Sequence, residues 1–219
     1  MTREQPQSHY RLRRAGWLAL AVGAVLGAPN AALAQGPGTE NGEWHYLGGD
    51  AWHTRYLPAN QITPANFNEL EVAWEWNGMS FGEQGAYLMR ATPSYVDGVL
   101  YTVAGNRRNV VAIDASTGAT IWSYREPDTW RFDYSMRAGY GKGVAYAEVD
   151  GRGVVYISSP GFFLTALDAK TGRPLEGWGK PVGIEGFPES GVVDLVADLI
   201  QDWGPWQQHV REGNTYDPS

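Results

Sequence analysis

Short runs of alternating apolar and polar residues dominate the chain from residue 92 onward. Each run ends near Gly, Asp or Asn, residues that favour tight turns, so the alternation predicts short β-strands. The predicted strands form two groups: 92–96, 99–103, 109–114 and 119–124, then 144–148, 154–158 and 163–168. An Asp-Gly pair follows the first strand of each group, which is typical of a two-residue hairpin turn. The pattern therefore predicts an all-β chain built from antiparallel meanders.

The two groups contain the same short sequence. Ala-Ile-Asp-Ala-Ser-Thr-Gly at 112–118 recurs as Ala-Leu-Asp-Ala-Lys-Thr-Gly at 166–172, displaced by 54 residues. A repeat of this length indicates a fold in which each copy is one supersecondary unit that stacks on its neighbours. Short strands repeating at this interval favour the four-stranded blade of a β-propeller over a sandwich. We therefore expect two full blades, at about 91–125 and 143–178, plus part of another.

The segments on either side of the two copies are less regular. Residues 70–76 alternate and carry two tryptophans on one face, which predicts the last strand of an earlier, incomplete blade. Residues 44–50 form either a further strand or a loop. The strand pattern stops beyond the second copy. Residues 192–200 show a modest helical pattern, in which Asp194 and Asp198 stand four residues apart and are expected to be solvated.

The turn that ends each repeated sequence has a clear local chemistry. Each aspartate can accept hydrogen bonds from the backbone of its own turn, and the glycine four residues later suits a left-handed backbone. A tryptophan four residues after the first glycine can lie flat between neighbouring blades, with its indole N–H bonded to a carbonyl of the next blade. We expect five residues to join blades and to do no chemistry: Asp114, Gly118, Trp122, Asp168 and Gly172.

The second copy departs from the first after its turn. Glu176 stands where the first copy has Trp122, and Trp178 follows two residues later. The tryptophan contact of the second copy is therefore expected to be displaced or missing.

Residues 1–34 have the three parts of a secretion signal. Three arginines supply a basic region, residues 16–28 an apolar run, and Ala-Leu-Ala at 32–34 a cleavage site. The apolar run is shorter than the roughly 20 residues that a membrane-spanning helix needs, so an uncleaved anchor is the less favoured alternative. We expect export and cleavage after Ala34, which leaves residues 35–219 as the mature domain without a membrane span.

Composition narrows the classes of function. The chain has no Cys, which excludes a disulfide framework, a thiolate metal site and a cysteine nucleophile. Its formal net charge is −7, and the predicted signal contains four Arg and one Glu, so the mature chain is more acidic still. Because negative charge disfavours binding to phosphate backbones and anionic membranes, nucleic acid is not expected as a partner.

The repeat and the segment before it carry the residues of a known family. The pattern Ala-x-Asp-x-x-Thr-Gly-x-x-x-Trp at 112–122 resembles the tryptophan-docking motif of the pyrroloquinoline-quinone (PQQ)-dependent dehydrogenases, or quinoproteins. Trp-His-Tyr-Leu-Gly-Gly-Asp at 44–50 resembles that family's N-terminal segment. Ala-Thr-Pro at 91–93 with Val-Asp-Gly-Val-Leu-Tyr at 96–101 resembles its first full blade. The similarity covers about residues 43–200 and is closest to the quinoprotein glucose dehydrogenase group.

This resemblance implies an eight-bladed propeller in the periplasm, with the quinone and a Ca²⁺ ion near the central axis. Such enzymes oxidise an alcohol or sugar hydroxyl group and pass the electrons to a quinone or a cytochrome. The family's calcium ligands and catalytic aspartate come from later blades, and eight blades need more residues than this chain has. We therefore expect the N-terminal part of such a dehydrogenase, inactive by itself, with uncovered surfaces at Trp74, Trp76 and Trp122.

Three cationic residues stand at or near positions where the family binds its quinone. Arg90 replaces a glutamate that touches the quinone in many alcohol-oxidising members, and Lys142 replaces an arginine that pairs with a quinone carboxylate. Arg137 stands near the place of two adjacent cysteines in some members. By resemblance these three could form a cationic pocket for the tricarboxylated quinone, and Arg107 and Arg108 could face the axis. The alternative for the first three is a role as solvated surface charges.

Two other functions stay open from the sequence. The same blade motif suits a non-catalytic propeller scaffold for protein–protein contacts, and several short chains could assemble into a closed ring. A saturable absorbance change on titration with the quinone would separate the dehydrogenase from the scaffold. A discrete oligomer in light scattering would indicate the ring.

Overall fold

A computed structural model describes residues 38–82, 88–133, 135, 140–141 and 143–197. The chain divides into two compact units, 1–34 and 35–219, and the first, which contains the predicted signal, lies outside the described residues. Among the residues that are described, no helix has the length and apolar character needed to cross a membrane. The structure is mostly β, as the alternating pattern predicted.

The first sheet is an antiparallel meander of four strands whose spatial order follows the chain. Asp97 and Gly98 join its first two strands with backbone φ angles of 48° and 78°, the left-handed pair that a tight hairpin turn needs. A bulge between its third and fourth strands leaves Ile121 exposed and turns Trp122 toward the second sheet. The predicted strands are confirmed here, with these bounds: β2 Ser94–Val96, β3 Val99–Ala104, β4 Asn109–Asp114 and β5 Thr120–Tyr124.

The second sheet has the same four-stranded order, but its last strand was not predicted. Its strands are β7 Ala145–Val149, β8 Arg152–Ser158, β9 Phe163–Asp168 and β10 Val192–Asp194. The helical expectation at 192–200 is wrong for β10, because Val192–Asp194 pair antiparallel with Phe163–Thr165 and the Val192 side chain is fully buried. The hydrogen bonds between β9 and β10 and the burial of Val192 outweigh the weak helical periodicity of the sequence.

The fourth strand of the second sheet is interrupted. Pro174 forms a single bridge to Leu167, and the chain then leaves the sheet before β10 pairs with the earlier part of β9. This interruption falls at the place where the first sheet has Trp122. The second copy has Glu176 there in its sequence. Trp178 instead meets the Tyr156 ring edge-on, with centroids 5.8 Å apart.

Short elements surround the two sheets. A parallel pair joins β1, Leu88–Met89, to β6, Tyr140–Gly141, and helix α1 spans Trp130–Asp133. Single 3₁₀ turns lie at Glu40–Gly42, Phe67–Glu69 and Gly78–Ser80.

The N-terminal segments differ from expectation in one respect. Residues 70–77 have no strand assignment, so the strand predicted at 70–76 is wrong, because this segment is held by its tryptophan side chains and not by a ladder in the described part. Near residues 44–50, Trp44 makes one antiparallel bridge to Tyr95, which adds a short edge to the first sheet.

The main apolar core lies between the two sheets. Buried Val103, Val110 and Ala112 of the first sheet pack with Val155 and Leu167 of the second. A smaller cluster on the other face of the first sheet brings Val111 and Ile113 against Trp74 and Trp76. The side chains of β4 thus alternate between two partners, as expected of a sheet that is covered on both faces.

The sheets have two chemically different ends. The aspartate end carries the Asp-Gly hairpins and the turns 114–119 and 168–173. The opposite arginine end carries the β3–β4 turn at 105–108, the connection 125–133 and the β8–β9 turn at 159–162. The strand directions place the starts of β2 and β7 toward the arginine end.

Candidate functional site

The turn after β4 is organised by the carboxylate of Asp114. Its Oδ1 accepts hydrogen bonds from the amides of Ser116 and Thr117, both at 2.9 Å, and from both hydroxyl groups, at 2.6 and 3.0 Å. These bonds, with Ser116 foremost, hold the pKa of Asp114 below its usual value. Gly118 completes the turn with φ of 73°, a conformation that a side chain resists.

The turn after β9 repeats this arrangement. Oδ1 of Asp168 accepts from the amides of Lys170 and Thr171 at 3.1 and 2.9 Å, and Oδ2 accepts from Arg152 at 2.9 Å. Burial alone would raise the pKa of Asp168, but the bonds from Arg152 and Thr171 hold it below its usual value. Gly172 has φ of 69°.

Trp122 lies flat against the second turn, in the contact that we name the second dock. Its Nε1 donates to the Ala169 carbonyl at 2.9 Å, and the Tyr101 hydroxyl donates to the same carbonyl at 3.3 Å. A Cβ on Gly172 would collide with the six-membered ring of Trp122. A glycine is therefore required here for space as well as for its backbone angle.

Trp74 makes the same contact with the first turn, and we name it the first dock. Its Nε1 donates to the Ala115 carbonyl at 3.0 Å, and a Cβ on Gly118 would lie 2.7 Å from the ring. Nearby, Trp76 donates to the Thr120 hydroxyl at 2.9 Å. The uncovered tryptophan surfaces expected from the sequence are therefore wrong for these rings, which are half-buried.

The first dock was missed because Trp74 lies outside the repeated sequence. Ala115 and Ala169 occupy equivalent places in the two copies, so each turn receives an indole at its second residue. The signal that could have found the dock is the placement of a tryptophan ahead of each turn motif, 41 and 47 residues before the accepting carbonyl.

Of the three predicted quinone-binding residues, Arg90 lies among the residues that the structure describes. Arg90 is exposed and directly follows β1. Lys142 and Arg137 lie outside the described residues, although Lys142 directly follows β6 in the chain. Because β1 and β6 pair in parallel register, with Met89 opposite Gly141, the structure brings together the two strands that precede Arg90 and Lys142.

Arg107 and Arg108 lie in the β3–β4 turn and point into protein contacts. Arg107 pairs with Asp128 at 2.8 Å and lies over the Phe132 ring, 4.1 Å from its centroid. The Nη2 of Arg108 donates to the Ser158 carbonyl of the second sheet at 2.6 Å. Burial lowers the pKa of Arg108, and its Nε atom is shielded from solvent.

A buried ion pair links helix α1 to β10 at the same end. Arg131 donates to both carboxylate oxygens of Asp194 at 2.8 Å, and the two side chains are only 9% and 10% exposed. Burial would raise the pKa of Asp194, but the bonds from Arg131 and from the Val196 amide hold it below its usual value. The expectation that Asp194 is solvated is wrong; Asp198 lies outside the described residues.

Glu126 is the most unusual titratable group of the arginine end. Both of its carboxylate oxygens are shielded from solvent, and within the described part of the chain neither makes a hydrogen bond of normal geometry. Burial raises its pKa to about 7, although the hydroxyl of Ser159 and the guanidinium groups of Arg108, Arg107 and Arg131 oppose that shift. No sequence pattern distinguished this glutamate from the surface carboxylates.

A metal site does not form in the described part of the chain. There, no group of three His, Asp or Glu side chains is arranged to hold an ion. The nearest approach to such chemistry is the pair of His45 and Glu43, whose Nε2 and Oε2 atoms are 2.6 Å apart. His45 also packs edge-on against Tyr146, which gives it a structural contact.

Comparison of the sequence with known proteins finds matches in one family. The profile of the PQQ-dependent glucose/ethanol/alcohol dehydrogenase β-propeller domain matches residues 44–211. The 1-butanol dehydrogenase (cytochrome c) of Thauera butanivorans is 35% identical over 152 residues, which are 68% of this chain and 20% of that protein. The quinohemoprotein alcohol dehydrogenase of Comamonas testosteroni is 37% identical over 137 residues, 60% of this chain and 17% of that protein.

The crystal structure of the Comamonas testosteroni enzyme covers 60% of this chain with a TM-score of 0.49 and 34% identity, and the match is 18% of that chain. The chain spans about one fifth of the length of the curated relatives it matches. The profile match extends over both sheets and both docks, so the chain belongs to the PQQ-dependent glucose, ethanol and alcohol dehydrogenase family, within its β-propeller domain.

Proposed function

We propose that this chain supplies adjacent blades of the propeller of an exported, PQQ-dependent dehydrogenase that oxidises an alcohol or sugar hydroxyl group. In this proposal the two sheets are propeller blades, and the 70–77 segment belongs to a preceding blade. PQQ, when bound, takes up the electrons that leave the alcohol carbon. The residues of this chain form part of the surface that the cofactor contacts.

The observation that carries the proposal is the repetition of the tryptophan dock. Trp74 and Trp122 donate to equivalent carbonyls, Ala115 and Ala169, at 3.0 and 2.9 Å. Each dock joins one unit to the next in the same sense along the chain. A contact that advances by one unit at each step is what a ring of stacked blades requires.

The segment at 56–72 exposes several apolar side chains, which supports contact with another part of the whole protein. Trp74 and Trp76, which follow this segment, are packed, whereas Val72 is 76% exposed. Large exposed apolar surfaces of soluble proteins are commonly contact surfaces. The exposed set comprises Tyr56, Ile62, Phe67, Leu70 and Val72.

We place the quinone at the arginine end, beside the starts of β2 and β7. Arg90 and Lys142, which follow the paired strands β1 and β6, are proposed to meet its carboxylates, with Arg137 as a further cation. Ca²⁺, the substrate and the quinone or cytochrome acceptor are proposed to contact other parts of the whole enzyme. We expect the 219-residue chain alone not to turn over an alcohol.

A chimaera tests this proposal directly. Residues 44–211 of this chain would replace the matching segment of the Comamonas testosteroni alcohol dehydrogenase, and reduction of an artificial dye would be measured with added PQQ, Ca²⁺ and an alcohol. We expect PQQ-dependent activity in the chimaera and none in the isolated chain. A folded chimaera that binds no PQQ, or turnover by the isolated chain, would contradict the proposal.

Cofactor placement has its own control in the same chimaera. Lys142→Met should weaken PQQ binding by about tenfold, because one charge-assisted contact is lost. Lys180→Met removes an equal charge from an exposed position and should leave PQQ affinity unchanged. Equal effects of the two substitutions would place the quinone elsewhere.

A further inference from the structure

Glu126 and the three arginines that face it form a group at the arginine end, which we name the Glu126 cluster. Glu126 lies in the connection from β5 to α1 and packs under the β8–β9 turn of the other sheet. A Cβ on Gly161 in that turn would lie 3.3 Å from its Oε1, and the Ser159 hydroxyl faces the carboxyl. The carboxyl group of Glu126 therefore lies between the first sheet and the β8–β9 turn of the second.

The arginines of this cluster are engaged with other partners. Arg107 pairs with Asp128 at 2.8 Å, and Arg131 holds Asp194 with two bonds of 2.8 Å. Arg108 donates to a backbone carbonyl across the interface. No ion pair within 4 Å joins Glu126 to any of them in the described part of the chain. Glu126 is thus a buried carboxyl among cations without a cation of its own.

Two residues beside Glu126 have left-handed backbones. Arg108 has φ of 57° and Phe162 has φ of 63°. Such angles in side chains larger than Asn cost free energy and persist only where surrounding contacts impose them. Backbone bonds hold the turn: the Phe162 amide donates to the Ser159 carbonyl at 3.0 Å, the Ser159 amide to the Phe163 carbonyl at 2.9 Å, and the Leu195 amide to the Phe162 carbonyl at 2.9 Å. The Phe163 amide also donates to the Ser159 hydroxyl at 3.3 Å.

We propose that Glu126 is a pH-sensitive latch that clamps the β8–β9 turn to the first sheet when it is protonated and loosens the turn when it ionises. A neutral carboxyl is tolerated where its oxygens are shielded from solvent, whereas a carboxylate there must recruit water or draw a guanidinium away from its present partner. Arg108 is the group placed to move, because among the described residues its guanidinium makes one hydrogen bond, to the Ser158 carbonyl.

Charged and polar groups from each element around Glu126 affect its ionisation. Arg107 and Arg108 face Glu126 from the β3–β4 turn, Arg131 faces it from α1, and Tyr124 lies on β5. The described β8–β9 turn contributes the Ser159 hydroxyl and no ionisable side chain. Burial outweighs the three arginines, and the pKa of about 7 puts the transition within the physiological range.

Amide hydrogen exchange of the 219-residue chain tests the latch, because one molecule contains both ends. After correction for intrinsic exchange rates, we expect protection of Phe162 and Leu195 to fall by about tenfold between about pH 6 and about pH 8. The amides of Ala169 and Gly172, which are bonded at the aspartate end, should stay constant and serve as the internal control. A parallel fall at both ends would overturn the proposal.

A substitution pair isolates the carboxyl. Glu126→Gln keeps the shape of the protonated side chain and should abolish the pH-dependent loss of protection, whereas Glu148→Gln, at an exposed position, should leave it intact. Persistence of the loss in Glu126→Gln would overturn the proposal. Carboxyl-carbon NMR of the unsubstituted chain gives a second readout, with a titration midpoint of about 7 expected and one near the ordinary value of 4.5 contradicting the latch.

Discussion

The two ends of the interface between the sheets are held by different kinds of contact. At the aspartate end, Trp122 and Tyr101 both donate to the Ala169 carbonyl, and the indole covers Gly172. Neither donor changes charge near neutral pH, since burial raises the pKa of Tyr101 to about 12. Contact between the sheets at this end therefore depends on the packing of the Trp122 ring and on hydrogen bonds between uncharged groups.

The arginine end depends on charges that are largely removed from water. Arg131 and Asp194 form a buried bidentate pair, Arg108 crosses between the sheets, and Glu126 has no ion-pair partner among the described residues. Buried charges give large effects when one partner is removed and make stability depend on pH. The interface therefore combines contacts that do not change charge near neutral pH with contacts that depend on pH.

The largest expected effect comes from breaking the ion pair at the arginine end. Asp194→Asn leaves the Arg131 guanidinium buried without a countercharge and should reduce the free energy of unfolding by about 4 kcal/mol. Asp128→Asn is the matched control, because its carboxylate is 62% exposed, and it should cost less than about 1 kcal/mol. Urea unfolding at neutral pH measures both. Similar losses would show that burial does not set the strength of these pairs.

The ion pair also predicts a direction with pH. The pKa of Asp194 is lowered in the folded state, so its contribution is present above the unfolded pKa and is lost as pH falls through the folded value. Acid titration of the Asp194→Asn variant should therefore show a shallower loss of stability below about pH 4 than the unsubstituted chain.

A somewhat smaller effect is expected at the aspartate end. Gly172→Ala forces a Cβ into the Trp122 ring and keeps a left-handed backbone, which together should cost about 3 kcal/mol. Gly151→Ala is the control, since its φ of 74° is similar and a Cβ there meets nothing within 4 Å. It should cost about 1 kcal/mol. Thermal or urea unfolding that found equal losses would remove the packing role of the second dock.

Glu126→Gln should stabilise the chain, and only at higher pH. Because the folded pKa of Glu126 is raised from 4.5 to about 7, its folded state holds a proton that the unfolded state releases. The stability of the unsubstituted chain therefore falls as pH rises through this window, by about 3 kcal/mol for this group. Unfolding at about pH 5 and about pH 8 should show the variant gaining that amount at the higher pH. A pH-independent difference would contradict the raised pKa.

The smallest loss in the free energy of unfolding is expected for Arg152→Gln. The guanidinium is 58% exposed, although it bonds to Asp168 at 2.9 Å, and solvent screens such pairs strongly. The loss should be within about 0.5 kcal/mol and should shrink further in high salt. A loss above about 2 kcal/mol would show that the aspartate end also relies on charge.

Local signals in the sequence predicted the strands and turns of both sheets well. The hairpin at Asp97-Gly98 and the turn at Asp114 depend on residues adjacent in the chain, so their chemistry is visible without a structure. The same holds for Trp122, which follows its glycine by four residues. Features set by neighbours in sequence were the ones that could be predicted.

Contacts between distant residues account for what was missed. β10 is a strand because Val192 meets Thr165 across a ladder, and Asp194 is buried because Arg131 reaches it from α1. Glu126 has a raised pKa only because the second sheet covers it. None of these pairings leaves a local pattern, so the sequence did not indicate that Asp194 and Glu126 are buried at the arginine end.

The most direct test of the repeated dock is a set of double-mutant cycles measured by unfolding. Trp122→Phe with Gly172→Ala, and Trp74→Phe with Gly118→Ala, remove the two members of one dock each. We predict coupling of at least about 1 kcal/mol within each dock, because the added Cβ already displaces the ring that the second substitution removes. The crossed pairs, Trp122→Phe with Gly118→Ala and Trp74→Phe with Gly172→Ala, should be additive within about 0.5 kcal/mol. Additive behaviour within the docks would contradict the account that two equivalent tryptophan contacts join successive units of this chain.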